Sequence, residues 1–253
     1  MYKVIHLFFI LLILPGCLQD QASANPIQKE TLLIQAISDS APITEAIHAL
    51  TPLINTIIKQ ELQLAPDYDF NFFLPKKLQR ITLYYMNDVI SKDNHIIISE
   101  LNTIPLLSEI SHGIEASAEA HFFGDQQDEL IIMIKDTDGA LSDAHQKLML
   151  AMHTADQRYH DEHNQHLYNR EQSERFPFSP HMGLGRIRLQ SIKNHIPNDS
   201  QTQVVLDRIK KRITQLAKET AVKYYKSPTT SLHFTKIALL DLKKQTYLNE
   251  WTS

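Results

Sequence analysis

After Cys17 the chain contains no cysteine, which excludes an internal disulfide and leaves burial of apolar surface to hold the fold, even in an oxidising compartment. Beyond the N-terminal residues no apolar run is long enough to cross a bilayer, a step that takes about 20 residues over ~30 Å of hydrocarbon. Positive charge is not in excess either. Lys and Arg number 25 against 29 Asp and Glu, a net charge of −4, which argues against a general polyanion binder. The HExxH pattern of zinc proteases is missing, as are short-period repeats and low-complexity tracts.

What is present begins at the N-terminus. Lys3 precedes an apolar run from Val4 to Leu14, interrupted only by His6, and Pro15-Gly16-Cys17 follows. A basic start, a short greasy segment and a small-residue exit are the parts of an export signal. Leu14-Pro15-Gly16-Cys17 resembles the lipobox of bacterial lipoprotein precursors. That resemblance implies removal of residues 1–16 and a lipid on Cys17, which would partner the chain with a membrane. Leu18 follows where aspartate would signal retention at the inner membrane, so the expected location is the outer membrane, facing the periplasm. Ala22-Ser23-Ala24 also has the form cut by ordinary signal peptidase and would release a soluble product from Asn25. Residues 17–29 are polar and unpatterned and read as a tether.

The remaining chain is long enough for one domain with a sizeable core, expected over residues 30–245 with a short tail at 246–253. Its charge is uneven. Residues 101–160 hold three Lys/Arg against ten Asp/Glu, whereas residues 161–253 hold fifteen against nine. A basic final third could attract a phosphate-bearing ligand, and solvated helix faces would look the same.

Thr31 to Ile37 reads as a buried strand. Ser40 and Pro42 open a helix over 41–63, with Ile43, Ile47, Leu50, Ile54 and Ile57 on one face and a kink expected at Pro52. Strands are expected at 68–74 and 80–86, a broken helix over 94–112, and a strand pair at 114–123 and 130–135. A helix at 142–158 precedes a polar stretch, 159–175, that reads as an exposed insertion. Strand character in 176–189, a helix over 202–225 and a last strand at 234–240 complete the order. Helices and strands interleave and the strands fall in neighbouring pairs, the pattern of an α+β domain rather than a doubly wound parallel sheet.

Two strands open alike. Arg80-Ile81-Thr82-Leu83 begins one, and Pro180-His181-Met182-Gly183-Leu184-Gly185-Arg186 contains the other. Side chains two apart in a strand share a face, so Arg80 projects with Thr82 and His181 with the Gly183 position. These segments, together with the order of elements, resemble the two-histidine phosphoesterase superfamily, the 2'-5' RNA ligase and cyclic phosphodiesterase group. Its mark is a pair of His-x-Thr/Ser motifs.

The resemblance covers about residues 29–245. It implies a two-lobed, pseudo-symmetric arrangement of mainly antiparallel sheets flanked by helices, with a central cleft and no cofactor. It also implies that each histidine carries a proton and each hydroxyl holds a phosphate oxygen. In this chain the first histidine is Arg80 and the second hydroxyl is Gly183, while Thr82 and His181 remain. A guanidinium keeps its proton at neutral pH but grips phosphate well. His181 and Thr82 are therefore the expected catalytic pair, and Arg80 and Arg186 the expected phosphate ligands.

Three readings follow: a monomeric, lipid-anchored phosphoester-binding domain with weak or lost catalysis; an active 2',3'-cyclic phosphodiesterase in which Arg80 replaces a histidine; or a non-catalytic envelope scaffold. The histidines 153, 160, 163 and 166 have the spacing of metal ligands, but their polar segment offers no apolar face to rigidify them, and no metal is expected. Phe70, Phe72, Phe73, Tyr84 and Tyr85 could stack a base, although core packing explains them equally.

Overall fold

A computed structural model describes residues 28–252 except 111 and 176. The expected export signal, Cys17 and the expected cleavage site at Ala24 lie outside the described residues. Among them no helix is long and apolar enough to cross a membrane.

The first strand, β1 (Lys29–Ser38), is buried along almost its whole length. This explains why its sequence is a continuous apolar run rather than an alternating one. Helix α1 (Ala41–Glu61) follows and buries the expected stripe, Ile43, Ile47, Leu50, Ile54 and Ile57. Its helical residues run on through Pro52. Ser40 sits at the cap position but makes no side-chain cap hydrogen bond.

The aromatic segment departs from expectation. Only Phe73–Pro75 forms a strand, β2, whereas residues 68–72 were expected to be extended. Tyr68 and Phe70 make local main-chain bonds instead, and at the end of the segment Asn55 of α1, buried, accepts from the Phe72 amide at 2.6 Å and from the Phe73 amide at 3.2 Å. Phe72, Phe73 and Tyr84 are core residues.

Strand β3 (Gln79–Ile90) leads through a tight turn to α2 (Asn94–Leu101) and α3 (Leu106–Glu109), the broken helix expected around Pro105. Strands β4 (Ile114–Phe123) and β5 (Glu129–Asp136) pair antiparallel around Gly124, whose φ of 89° favours glycine. Helix α4 (Ala140–His163) is followed by α5 (Arg170–Ser173), β6 (His181–Ile187), α6 (Leu189–Lys193) and α7 (Asp199–Tyr225). The chain closes with β7 (Thr229–Ser231), β8 (Phe234–Asp241) and β9 (Thr246–Thr252).

Two further segments differ from their sequence reading. Residues 246–252, expected as a tail, pair with β8 as an edge strand. Residues 159–175 are not a solvated insertion: α4 continues to His163, and Leu167 and Tyr168 are buried. Asp156, 1% exposed, holds the segment down by accepting from the Leu167 amide at 2.7 Å and from His166 at 2.9 Å. With two apolar anchors and one buried carboxylate, the segment lacks the periodicity that marks a buried helix.

All nine strands join one antiparallel sheet in the order β7-β4-β5-β6-β3-β1-β8-β9, with β2 paired to β6. Helix α1 packs on α7 and α7 on β4, while α4 packs on β3, β5 and α2. The α+β class with helices flanking antiparallel strands is thus observed. Its two halves, β9-β8-β1-β3 and β6-β5-β4-β7, share that sheet. Strands β3 and β6 meet at a single residue pair, Ile81 with Met182. Past that pair they part, and the cleft lies in the gap.

Candidate functional site

The Ile81–Met182 pair sets the two motifs side by side. One step along the antiparallel register puts Thr82 beside His181, and one step the other way puts Arg80 beside Gly183. A register shift between Ile34 and Gln35 then marks a bulge in β3, after which Leu33 pairs with Tyr85. Cross-strand partners share a face, so Gln35 lies with Thr82, and Leu33 with Tyr85.

Thr82 and His181 line the same cavity, about 630 Å³ in volume and shared with Leu33, Tyr84, Tyr85, Phe123, His145 and Phe178 among others. A space of this size suits a small organic ligand. His181 is oriented from both sides. Its Nδ1 lies 2.8 Å from the Ser179 carbonyl oxygen and its ring centroid 4.4 Å from that of Phe123. A carbonyl only accepts, so Nδ1 carries the proton and Nε2 of the neutral ring is left as an acceptor.

Arg80 stands one pair further along and is not among the residues lining that cavity. It is tied to the cleft through Gln35. Gln35, 2% exposed, accepts from Arg80 Nη1 at 3.4 Å and donates to Thr82 Oγ1 at 3.4 Å. The one polar residue inside the run Thr31–Ile37 thus bridges both motif residues of β3, and that break in an apolar run was the signal for it.

At Gly183, where the resemblance would put a second hydroxyl, other side chains fill the space. A Cβ added there would lie 2.5 Å from Oε1 of Glu129 and 3.2 Å from Cε of Lys76. Lys76 Nζ approaches Glu129 Oε1 at 3.2 Å. Arg186 approaches Glu129 Oε2 at 3.3 Å through Nη2 and Asp128 Oδ2 at 3.4 Å through Nε. Arg186, expected to hold phosphate, is instead an exposed residue engaged by these two carboxylates and lies outside the cavity lining.

Behind the cleft runs a polar network. The Tyr84 hydroxyl donates to Glu174 Oε1 at 2.8 Å and lies 3.2 Å from the Tyr168 hydroxyl. Glu174 also pairs with His153, whose other ring nitrogen lies 2.8 Å from Arg170 Nη2. Burial, reinforced by the contacts to Tyr168 and Glu174, drives the Tyr84 phenol far above its ordinary value. Tyr168 is pushed up to about 12, chiefly by burial. Burial also raises the Glu174 carboxyl, but hydrogen bonds from His153 and Tyr84 outweigh it and leave the group lowered. Both phenols are thus fixed as donors and Glu174 as a carboxylate.

The histidines of the 153–166 cluster make local contacts, although Nδ1 of His160 is buried without a hydrogen-bond partner among the described residues. His160 and His166 stack at 4.5 Å, His166 pairs with Asp156, and His163 Nδ1 lies 3.1 Å from the Tyr159 carbonyl oxygen. Among the described residues no group of three or more His, Cys, Asp or Glu is placed to hold a metal ion. Sequence reading also missed His145, which sits on α4 with nothing local to distinguish it.

No family model matches the chain, and no curated protein does. Solved structures do match by shape. Kluyveromyces marxianus Usb1 superposes with a TM-score of 0.50 at 8% identity, over 90% of this chain and 100% of that one. The same protein with uridine monophosphate gives 0.51 at 9% identity, with the same coverage. The antiparallel sheet flanked by helices is, in architecture, the fold of Usb1.

Proposed function

We propose that the cleft binds a nucleotide or a related phosphoester, with hydrolysis much reduced, and that a lipid on Cys17 holds the domain at a membrane. The observation that carries the reading is the meeting of Thr82 and His181 in one cavity of about 630 Å³ at the junction of β3 and β6. A hydroxyl to accept or donate at a phosphate oxygen and an imidazole with its tautomer fixed are the parts such a ligand needs. Uridine monophosphate in the similar structure of Usb1 supports that ligand class.

Reduced hydrolysis follows from the motif positions. Displacement at phosphorus needs a base for the attacking oxygen and an acid for the leaving one. Arg80 can stabilise charge but cannot exchange protons near neutral pH. At Gly183 the side chain of Glu129, paired with Lys76 and Arg186, fills the space in which a hydroxyl would face the phosphate.

The test is titration calorimetry of the full chain in mild detergent with uridine monophosphate and with 2',3'-cyclic nucleotides. Saturable binding that falls at least tenfold in Thr82→Val and in His181→Ala is the expected result. Absence of binding by the native protein to every nucleotide tried would overturn the reading.

A further inference from the structure

The cleft holds a second imidazole, one that belongs to neither motif. From the geometry we infer that His145 is the second proton carrier of this site, acting opposite His181 in the slow hydrolysis of a cyclic phosphodiester. The inference rests on the phosphoester reading of the cleft and goes beyond it by assigning the acid–base pair.

Three observations place His145. Its Nδ1 lies 2.7 Å from the main-chain carbonyl oxygen of Leu83, the residue next to Thr82. His181 stands on the other side of the same threonine, across the strand junction. Both rings and the Thr82 hydroxyl line one cavity. A phosphate held by Thr82 would therefore share its cavity with two imidazoles, one from α4 and one from β6.

The ring of His145 is also locked. It stacks on Phe178 with centroids 4.3 Å apart and planes 5° from parallel, and Tyr84 lies at 5.8 Å on a tilted plane. The Leu83 carbonyl can only accept, so Nδ1 is the protonated nitrogen of the neutral ring. Among the described residues its Nε2 has no protein partner. His181 has the same arrangement with Ser179. A backbone carbonyl that fixes the tautomer and a ring contact that fixes the plane are what a general base requires before substrate arrives. The parting of β3 from β6 makes room for this, because it leaves the Leu83 carbonyl free to meet a helix rather than a neighbouring strand.

The step balances with water as the only co-reactant. A water oxygen forms a bond to phosphorus and gives its proton to Nε2 of one neutral ring. The bond from phosphorus to one ribose oxygen breaks, and that oxygen takes a proton from Nε2 of the other ring, which began as imidazolium. Arg80 is freed from any need to exchange protons. The other titratable groups lining the cavity are Tyr84, Tyr85 and Arg175, and Glu174 sits behind Tyr84.

The experiment follows 2',3'-cyclic uridine monophosphate turnover by the full chain across pH, with uridine monophosphate binding measured in parallel. The expected result is a bell-shaped dependence of kcat/KM on pH. His145→Ala should remove one limb and cost about 10²–10⁴-fold in kcat, while uridine monophosphate affinity stays within about threefold, a factor worth roughly 0.6 kcal/mol. Free imidazole should restore part of the lost rate, which no merely structural role of His145 would permit. Turnover that His145→Ala leaves unchanged overturns the inference. So does nucleotide binding without turnover, which leaves the binding site standing. Loss of binding and turnover together in the native protein overturns both.

Discussion

At the scale of single residues, the site is defined as much by its replacements as by what it keeps. Arg80 brings charge without proton exchange, so with His145 and His181 as the proton carriers Arg80→His should not raise cyclic-nucleotide turnover, because it adds no needed group and removes a fixed charge. Steady-state kinetics would show it, and a rise of about 10²-fold would mean that position 80 lacks a general acid–base group and that His145 does not carry the second proton. Gly183 behaves differently, because Glu129 fills its neighbourhood. Gly183→Thr alone should therefore leave uridine monophosphate affinity within about twofold. Combined with Glu129→Ala, it should bind at least about tenfold tighter than Glu129→Ala alone, or roughly 1.4 kcal/mol. Calorimetry on the three variants checks this, and a large gain from the single substitution would contradict it. Legibility also differed by residue. Thr82 and His181 stood in local motifs. Gln35 was marked by being polar inside an apolar strand. His145 carried no mark, since its role comes from a carbonyl 62 positions away in the chain.

Among elements, side chains do work that periodicity cannot show. Asn55 accepts from the amides of Phe72 and Phe73 and donates to Thr51 O at 2.9 Å, joining α1 to the segment that leads into β2 and β3. Asn55→Ala strands two amides in the core and should destabilise the fold by about 1–3 kcal/mol, read from urea unfolding. Glu174 ties α5 to β3 through Tyr84 and to α4 through His153. Its carboxyl is lowered from 4.5 in spite of burial. The stability this contributes is therefore present above pH 4.5 and is lost as pH falls through the folded value. Glu174→Gln should melt lower than the native chain at neutral pH, with the gap closing in acid. A constant gap across pH would place the effect in packing rather than charge. The helices and long strands were readable because each carries a continuous apolar pattern. The segments at 68–72 and 159–175 were not, since both are held by a buried polar group, Asn55 or Asp156, that sequence alone presents as ordinary.

For the whole molecule, the order of elements was enough to give the fold class, and the sheet bears it out. The edge strand β9 escaped notice because its mixed, half-exposed sequence lacks alternation. Membrane attachment is a property of the chain as a whole, proposed from Leu14-Pro15-Gly16-Cys17. Cys17→Ser in an exporting bacterium should shift the protein from the membrane fraction to the soluble one, or leave it unprocessed, and abolish labelling by radioactive palmitate. Palmitate incorporation into the variant would refute the assignment.

The single pairing of Ile81 with Met182 has a mechanical meaning. A sheet normally resists bending between neighbours because many backbone bonds cross each seam. Here the β3–β6 seam is fastened at one point, with β2 bracing the far end of β6, so the molecule has a compliant line running beside its cavity. A ligand that grips Thr82 on one side and His181 on the other acts as a second rivet across that line. Amide exchange in residues 83–87 should then slow on nucleotide addition while exchange in β8 stays constant.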